Sequence, residues 1–252
     1  MRRAEAVALG LLQGPAELLP VSSSAHVGLL LAWRNPDLPP AARKELEVAL
    51  HLGTAVTLAL TTREMPRFAL LAAATGPPAL AGFVLERTIE TRLGTPATVA
   101  AGLLVGAAAM VAADRVPGRR GPADARSLDG AWLGLAQAAA LIPGVSRSGA
   151  ARAAARARGF DRRAAAELSR EVALPVLAGA ATLKGIRLVQ RRPPASTVRT
   201  LAAGAAAAAV STYGALRAER ALATDAPLAV WAAYRTALAA VIVGCVWHDR
   251  AR

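Results

Sequence analysis

A single cysteine, Cys245, occurs in 252 residues. That excludes an intrachain disulfide and a thiolate metal cluster, and inside the last apolar stretch Cys245 reads as a small buried residue. Aromatic residues are also scarce, at 4%, and none interleaves with basic residues as base stacking on a nucleic acid would require. Acidic residues number 17 against 30 Lys and Arg, a net charge of +13. Such an excess could neutralise phosphates. The cations, however, cluster between apolar runs, at Arg115 to Arg126, Arg152 to Arg170, Lys184 to Arg199 and His248 to Arg252. That placement suits cytoplasmic loops and contact with anionic membrane lipids, and it argues against nucleic acid.

What the chain has in abundance is apolar length. Hydrophobic residues make up 54% and the mean hydropathy is +0.37. Thr95 to Ala113 runs nineteen residues without a charge, Phe68 to Leu85 eighteen, and Gly130 to Ser146 and Thr200 to Leu216 seventeen each. A bilayer-spanning helix needs roughly 20 such residues, with about 17 as the lower limit. Much of the apolarity is alanine, which lets helices approach closely within a bundle. The expected fold is all-α: one integral membrane domain over 1–252, a multi-pass bundle of short helices. The N-terminal MRRAEAVALGLLQG imitates a secretory signal, but Glu17 and Pro20 interrupt it, so it is expected to stay in the fold.

The pattern divides into ten helices. The first half gives about Ala4 to Leu19, Ala25 to Trp33, Glu45 to Thr62, Pro66 to Leu85 and Thr95 to Ala113, with Asn35 to Lys44 a loop and Glu86 to Arg92 a polar turn. After a basic central loop, 114–127, the second half gives Leu128 to Ile142, Ser146 to Arg158, Arg162 to Val189, Ser196 to Leu216 and Leu228 to Trp247. Trp33, Trp132, Trp231, Tyr234 and Trp247 suit interfacial belts. Asp114, Asp161, Glu86 and Glu90 read as ordinary loop charges, and His51 as a packed or pore-lining residue.

The two halves, about 4–113 and 128–247, are copies. Leu9 to Ser24 (LGLLQGPAELLPVSSS) recurs as Leu133 to Ser148 (LGLAQAAALIPGVSRS) at a constant offset of 124, with eight identical pairs in sixteen. Each copy is an apolar run broken at proline and followed by hydroxyl residues that can cap the next helix. Each therefore reads as a helix–break–helix, which a bilayer tolerates only where the irregular backbone is buried in protein or lines a cavity. Paired interruptions in matching halves point to a site at the repeat interface. The copies differ usefully: Glu17, Ser23 and His26 in the first face Leu141, Arg147 and Ala150 in the second. Helix N-termini with free N–H groups, the hydroxyls of Ser22, Ser24, Ser146 and Ser148, a permissive Gly144 and the fork of Arg147 together suit an anion.

Gln13-x-x-x-Glu17 with LLPVSSSAH resembles the first signature of the bacterial undecaprenyl-pyrophosphate phosphatases, the bacitracin-resistance family. Pro143 to Ser148 resembles the second, and Glu47 to Gly53 and Glu167 to Pro175 are similar to two further stretches. The resemblance implies a helical bundle with an inverted repeat and two re-entrant hairpins in the bacterial cell membrane. It also implies hydrolysis of undecaprenyl diphosphate to the monophosphate and inorganic phosphate, which recycles the carrier for cell-wall synthesis. Activity supported by Mg²⁺ or Ca²⁺ and a homodimer are further implications.

By that resemblance Arg147 holds a phosphate and offsets developing charge, and Glu17 is a base or contacts the divalent ion. Ser23 is the nucleophile or a phosphate ligand, and His26 its acid–base partner. Gln13, where relatives often carry Glu, can hydrogen-bond phosphate or metal-bound water but cannot act as a base. Ser22, Ser24, Gly144, Ser146 and Ser148 complete the substrate set. Ala151 stands where the second signature usually has threonine, and Ala25 where a glycine is usual. A transporter or flippase of polyprenyl phosphate, using the same pocket without hydrolysis, is the competing expectation.

Overall fold

The computed structural model describes residues 1–62, 67–221 and 226–250, with the side chains of 86, 90, 220 and 246–250 outside the description. The readings of Glu86, Glu90, Trp247, the helix start at Pro66 and the basic tail fall outside the described side chains or residues. Among the described residues ten α-helices follow one another: α1 Arg3–Leu18, α2 Ser23–Arg34, α3 Pro40–Thr61, α4 Phe68–Arg92, α5 Pro96–Asp114, α6 Ser127–Ala139, α7 Arg147–Ala157, α8 Arg162–Gln190, α9 Ala195–Ala221 and α10 Leu228–Arg250. No strand occurs among the described residues, and a single 3₁₀ turn, Pro122–Asp124, lies in the central loop.

Among the boundaries that differ from expectation, two have a clear physical reason. The loop expected through Lys44 ends at Pro40, which starts α3 at its first position, where a fixed φ and a missing N–H carry no penalty. The polar turn expected at 86–92 is helix as far as Arg92; no glycine or proline interrupts the chain before Gly94, and polarity alone does not break a helix. Some starts carry a side-chain cap. Thr95 accepts from Thr98 N at 3.2 Å ahead of α5, and Asp161 accepts from Ala164 N at 2.7 Å ahead of α8.

Four helices among the described residues are long and apolar enough to cross a membrane: Phe68–Leu85 within α4, α5, α8, and Leu228–Cys245 within α10. Only 17% of the α4 window is buried in the protein, and Phe83, Phe68 and Leu60 are among the large side chains left exposed. An apolar surface of that extent belongs against lipid rather than water. Cys245 is exposed too, which corrects the expectation of a buried thiol: α10 turns that face outward.

The chain forms two compact units, and neither coincides with a sequence half. One comprises Met1–Leu18, His26–Glu64 and Leu174–Leu222; the other comprises Leu19–Ala25, Met65–Ala173 and Ala223–Arg252. In the first, α1 and α3 pack on α9 around Leu9, Leu31, Leu46 and Leu50. Glycines permit this approach: a Cβ on Gly10 or Gly53 would strike the α9 backbone at Gly204 or Ala205. In the second unit α6 packs on α4, with Leu70, Leu133, Phe160 and Leu168 in one core, and α5 packs on α10 beside Met110, Ala113 and Leu228. Gly134 there faces the Ala73 and Ala74 carbonyls. The opening helix of each repeat thus packs on the fourth helix of the other repeat, and a duplicated glycine, Gly10 or Gly134, marks each contact.

Asp114 and Asp129 are the polar anchors of the second unit. Asp114 accepts from Arg156 Nε at 3.0 Å, Arg162 Nη2 at 2.9 Å and Leu228 N at 3.0 Å. It ties the end of α5 to α7, α8 and α10 and is no ordinary loop charge. Asp129 binds Arg120 Nη2 at 2.7 Å, Arg158 Nε at 2.9 Å and Arg126 N at 3.0 Å. Burial pushes its carboxyl upward, but Arg120, the Arg126 amide and Arg158 outweigh that and hold it at about 2. Glu171 pairs with Arg67 (Arg67 Nε to Oε1, 3.0 Å).

Candidate active site

Both chain breaks lie in the second unit. After α6 the chain turns through Pro143 and Gly144, and Gly144 takes a φ of +94°. A Cβ there would meet the Val99 carbonyl of α5, so both conformation and space demand glycine. Ser146 caps α7: its Oγ accepts from Gly149 N at 3.2 Å. Its own φ is +70°, which a non-glycine residue adopts only when its surroundings impose it. Ser148 donates from Oγ to Leu19 O at 2.9 Å, so the second break is hydrogen-bonded to the first.

The first break repeats this geometry. Ser22, 124 positions before Ser146, has a φ of +76° and is buried. The Ser22 and Ser24 hydroxyls lie 3.2 Å apart, and those of Ser146 and Ser148 3.3 Å apart. Ser23 and Arg147, at equivalent positions, are both half-buried, and each opens its helix, α2 or α7. The duplication is therefore one of backbone conformation as well as of letters. It gathers five hydroxyls and a guanidinium around two helix N-termini within one compact unit, an arrangement suited to a phosphate.

Sequence reasoning passed over the residue that holds the second break in place. Arg235 of α10 is fully buried and donates from Nη2 to Gly144 O and Val145 O, each at 2.8 Å, and to Gly102 O at 3.3 Å. Gly106 and Gly149 leave room for its guanidinium. The signal was available, because an arginine inside an apolar span is a functional hypothesis by default.

A second polar group belongs to the first unit. Gln13 and Glu17 stand one turn apart on α1, both buried, and Gln13 Nε2 donates to Glu17 Oε2 at 3.1 Å. His51 of α3 brings Nε2 within 3.4 Å of the same oxygen, while its Nδ1 lies 2.8 Å from Glu47 O. His51 is thus a neighbour of the acidic residue and not mere packing. Around this group, Ser211 Oγ accepts from Gly14 N at 3.2 Å and Thr54 Oγ1 lies 3.2 Å from Thr212 Oγ1. His26 also belongs to this unit, half-buried in the first turns of α2. Among the described residues no cluster of three or more His, Cys, Asp or Glu is placed to hold a metal ion.

These features define a helical membrane protein with a duplicated, hydroxyl-rich break and a buried acid–imidazole group. Residues 61–241 match the family model described as bacitracin resistance protein BacA, and the chain belongs to that family. It is similar to the undecaprenyl-diphosphatase of Geobacter sulfurreducens, 38% identical over 82% of this chain and 85% of the relative. It is also similar to that of Moorella thermoacetica, 34% identical over 98% of each, and to that of Geotalea daltonii, 37% identical over 83% and 85%.

Proposed function

We propose that this protein hydrolyses undecaprenyl diphosphate to undecaprenyl phosphate and inorganic phosphate in the bacterial cell membrane, recycling the lipid carrier of cell-wall synthesis. The observation that carries the reading is the pair of hydrogen-bonded breaks, with Arg147 at a helix N-terminus, in a chain similar along its whole length to an undecaprenyl-diphosphatase.

Arg147, with the hydroxyls of Ser22, Ser24, Ser146 and Ser148, grips the diphosphate and offsets the charge that grows on its oxygens in the transition state. Attack on the terminal phosphorus, by Ser23 Oγ or by water, breaks the bridging P–O bond and releases the polyprenyl monophosphate. A phosphoseryl group formed in the first case is hydrolysed by water. Glu17 accepts the proton of the attacking group, His26 is the acid–base partner of Ser23, and Gln13 steadies Glu17. A divalent ion fits as a companion of the substrate: Mg²⁺ is commonly held by one or two carboxylates plus substrate phosphates, and Glu17 supplies one. Bound there, Mg²⁺ or Ca²⁺ would neutralise diphosphate charge.

The exchanged packing of α1 on α9 and α6 on α4 supports an inverted duplication, with α1–α2 and α6–α7 as re-entrant hairpins. The arginine-rich loops face anionic lipid on the cytoplasmic side, and the working form is a homodimer. The test is phosphate release by purified protein given undecaprenyl diphosphate. Release establishes the hydrolase; binding of the lipid without release points instead to the transporter.

A further inference from the structure

We infer that His51 is a positioning residue for Glu17, fixing the direction in which its carboxylate faces. The inference rests on the hydrolase reading, in which Glu17 handles the proton of the attacking group.

Gln13 and Glu17 are one helical turn apart on α1, as are Glu47 and His51 on α3, so each pair shares a helix face. Both helices lie against α9 with glycines at the contacts: a Cβ on Gly14 would collide with Ser211 and Thr212, and one on Gly53 with Ala205. Gly14 sits between Gln13 and Glu17, and Gly53 two residues beyond His51. The separation between Glu17 and His51 is therefore set by helix-to-helix contact at α9, with little slack for the side chains to take up.

The imidazole is then oriented from behind. A backbone carbonyl only accepts hydrogen bonds, so Nδ1, at 2.8 Å from Glu47 O, carries a hydrogen. That bond turns Nε2 toward Glu17 Oε2, at 3.4 Å, while Gln13 Nε2 reaches the same oxygen at 3.1 Å. With Nε2 carrying a hydrogen as well, the His51 imidazolium and the Gln13 amide hold one carboxylate oxygen from two helices. A glutamate has three side-chain torsions, and fixing its far end keeps the carboxylate in one orientation. Reactions of this kind depend steeply on such alignment, and a misplacement of about 1 Å costs about 10²-fold in rate.

Three variants of the full-length protein in detergent micelles test this, read by phosphate release from undecaprenyl diphosphate and by thermal melting. A glutamine amide nitrogen reaches roughly where Nε2 stands, whereas an asparagine amide nitrogen reaches only the place of Nδ1. His51→Leu should lower kcat by about 10²-fold and kcat/KM to the same extent, as expected when alignment in the transition state is lost. His51→Gln should recover most of that rate and His51→Asn should not, with all three melting close to wild type. A fully active His51→Leu, equal rates for the Gln and Asn variants, or rate losses that follow the melting temperatures would overturn the inference alone. Wild-type protein that releases no phosphate would overturn the hydrolase reading and this inference with it.

Discussion

Ser22 and Ser146, 124 positions apart, share a backbone conformation that L-residues rarely adopt, with φ values of +76° and +70°. Each directly precedes a helix whose first residue is proposed for catalysis, Ser23 or Arg147. Strain of this kind costs on the order of 1–3 kcal/mol and persists only where the surroundings enforce it. Its presence in both copies indicates that the two breaks preserve one geometry for one task.

That geometry predicts an ordering of Ser146 variants. Ser146→Gly relieves the positive φ and loses little as a cap, whereas Ser146→Ala keeps the strain and loses the hydrogen bond from Gly149 N. The glycine variant should be the more stable of the two by about 1 kcal/mol, measured by chemical unfolding in micelles. Both should turn over more slowly than wild type, because each lacks the hydroxyl proposed to meet phosphate.

Arg235 predicts a stability effect without any substrate contact. Removing its guanidinium leaves the Gly144 and Val145 carbonyls without their donor, at a cost of about 1–3 kcal/mol for each buried group. Arg235→Leu should lower the melting temperature clearly. Arg235→Lys should restore only part of the loss, because a point charge on a flexible stem cannot reproduce a planar fork. Full stability of Arg235→Leu would show that the break holds its shape unaided.

The duplicated glycines give a contrast between close-packed and open sites. Gly134→Ala places a methyl group against the Ala73 and Ala74 carbonyls, at 2.8 and 3.0 Å, and should destabilise the protein. Gly28→Ala, on a helix where nothing lies within 4 Å, should stabilise it by roughly 0.5–1 kcal/mol through improved helix propensity. Thermal melting of the two single variants distinguishes them by sign.

Acid sensitivity should trace partly to Asp129. Its carboxyl titrates at about 2 in the folded protein against roughly 3.9 when unfolded. The unfolded chain takes up this proton first as pH falls, so the contribution is complete above about pH 4 and is lost as pH falls through about 2. Asp129→Asn should lower stability at neutral pH and flatten its dependence on pH in that window, as melting scans at stepped pH would show.

Much of this was readable from the letters. All ten helices followed from apolar runs punctuated by proline, glycine and hydroxyl residues, because these set helix ends locally. The paired breaks were legible through the repeat. Less legible was what depends on contacts distant in sequence. Asp114 lies at the end of an apolar run and reads as a loop charge, yet Arg156, Arg162 and the Leu228 amide converge on it. Arg235 stands alone in its span, and its partners are backbone carbonyls, which carry no sequence signal. His51 could be anything an apolar helix allows until α3 is laid beside α1. Lys44 and Arg92 erred for a plainer reason: a proline can begin a helix, and charged residues can continue one.

Glu17 and Arg147 are proposed to serve the cleavage of one diphosphate. Steady-state phosphate release from undecaprenyl diphosphate by the wild type, Glu17→Ala and Arg147→Ala measures it most directly. The wild type should be active and each variant slower by about 10²-fold or more. Near-normal release by both variants would contradict it.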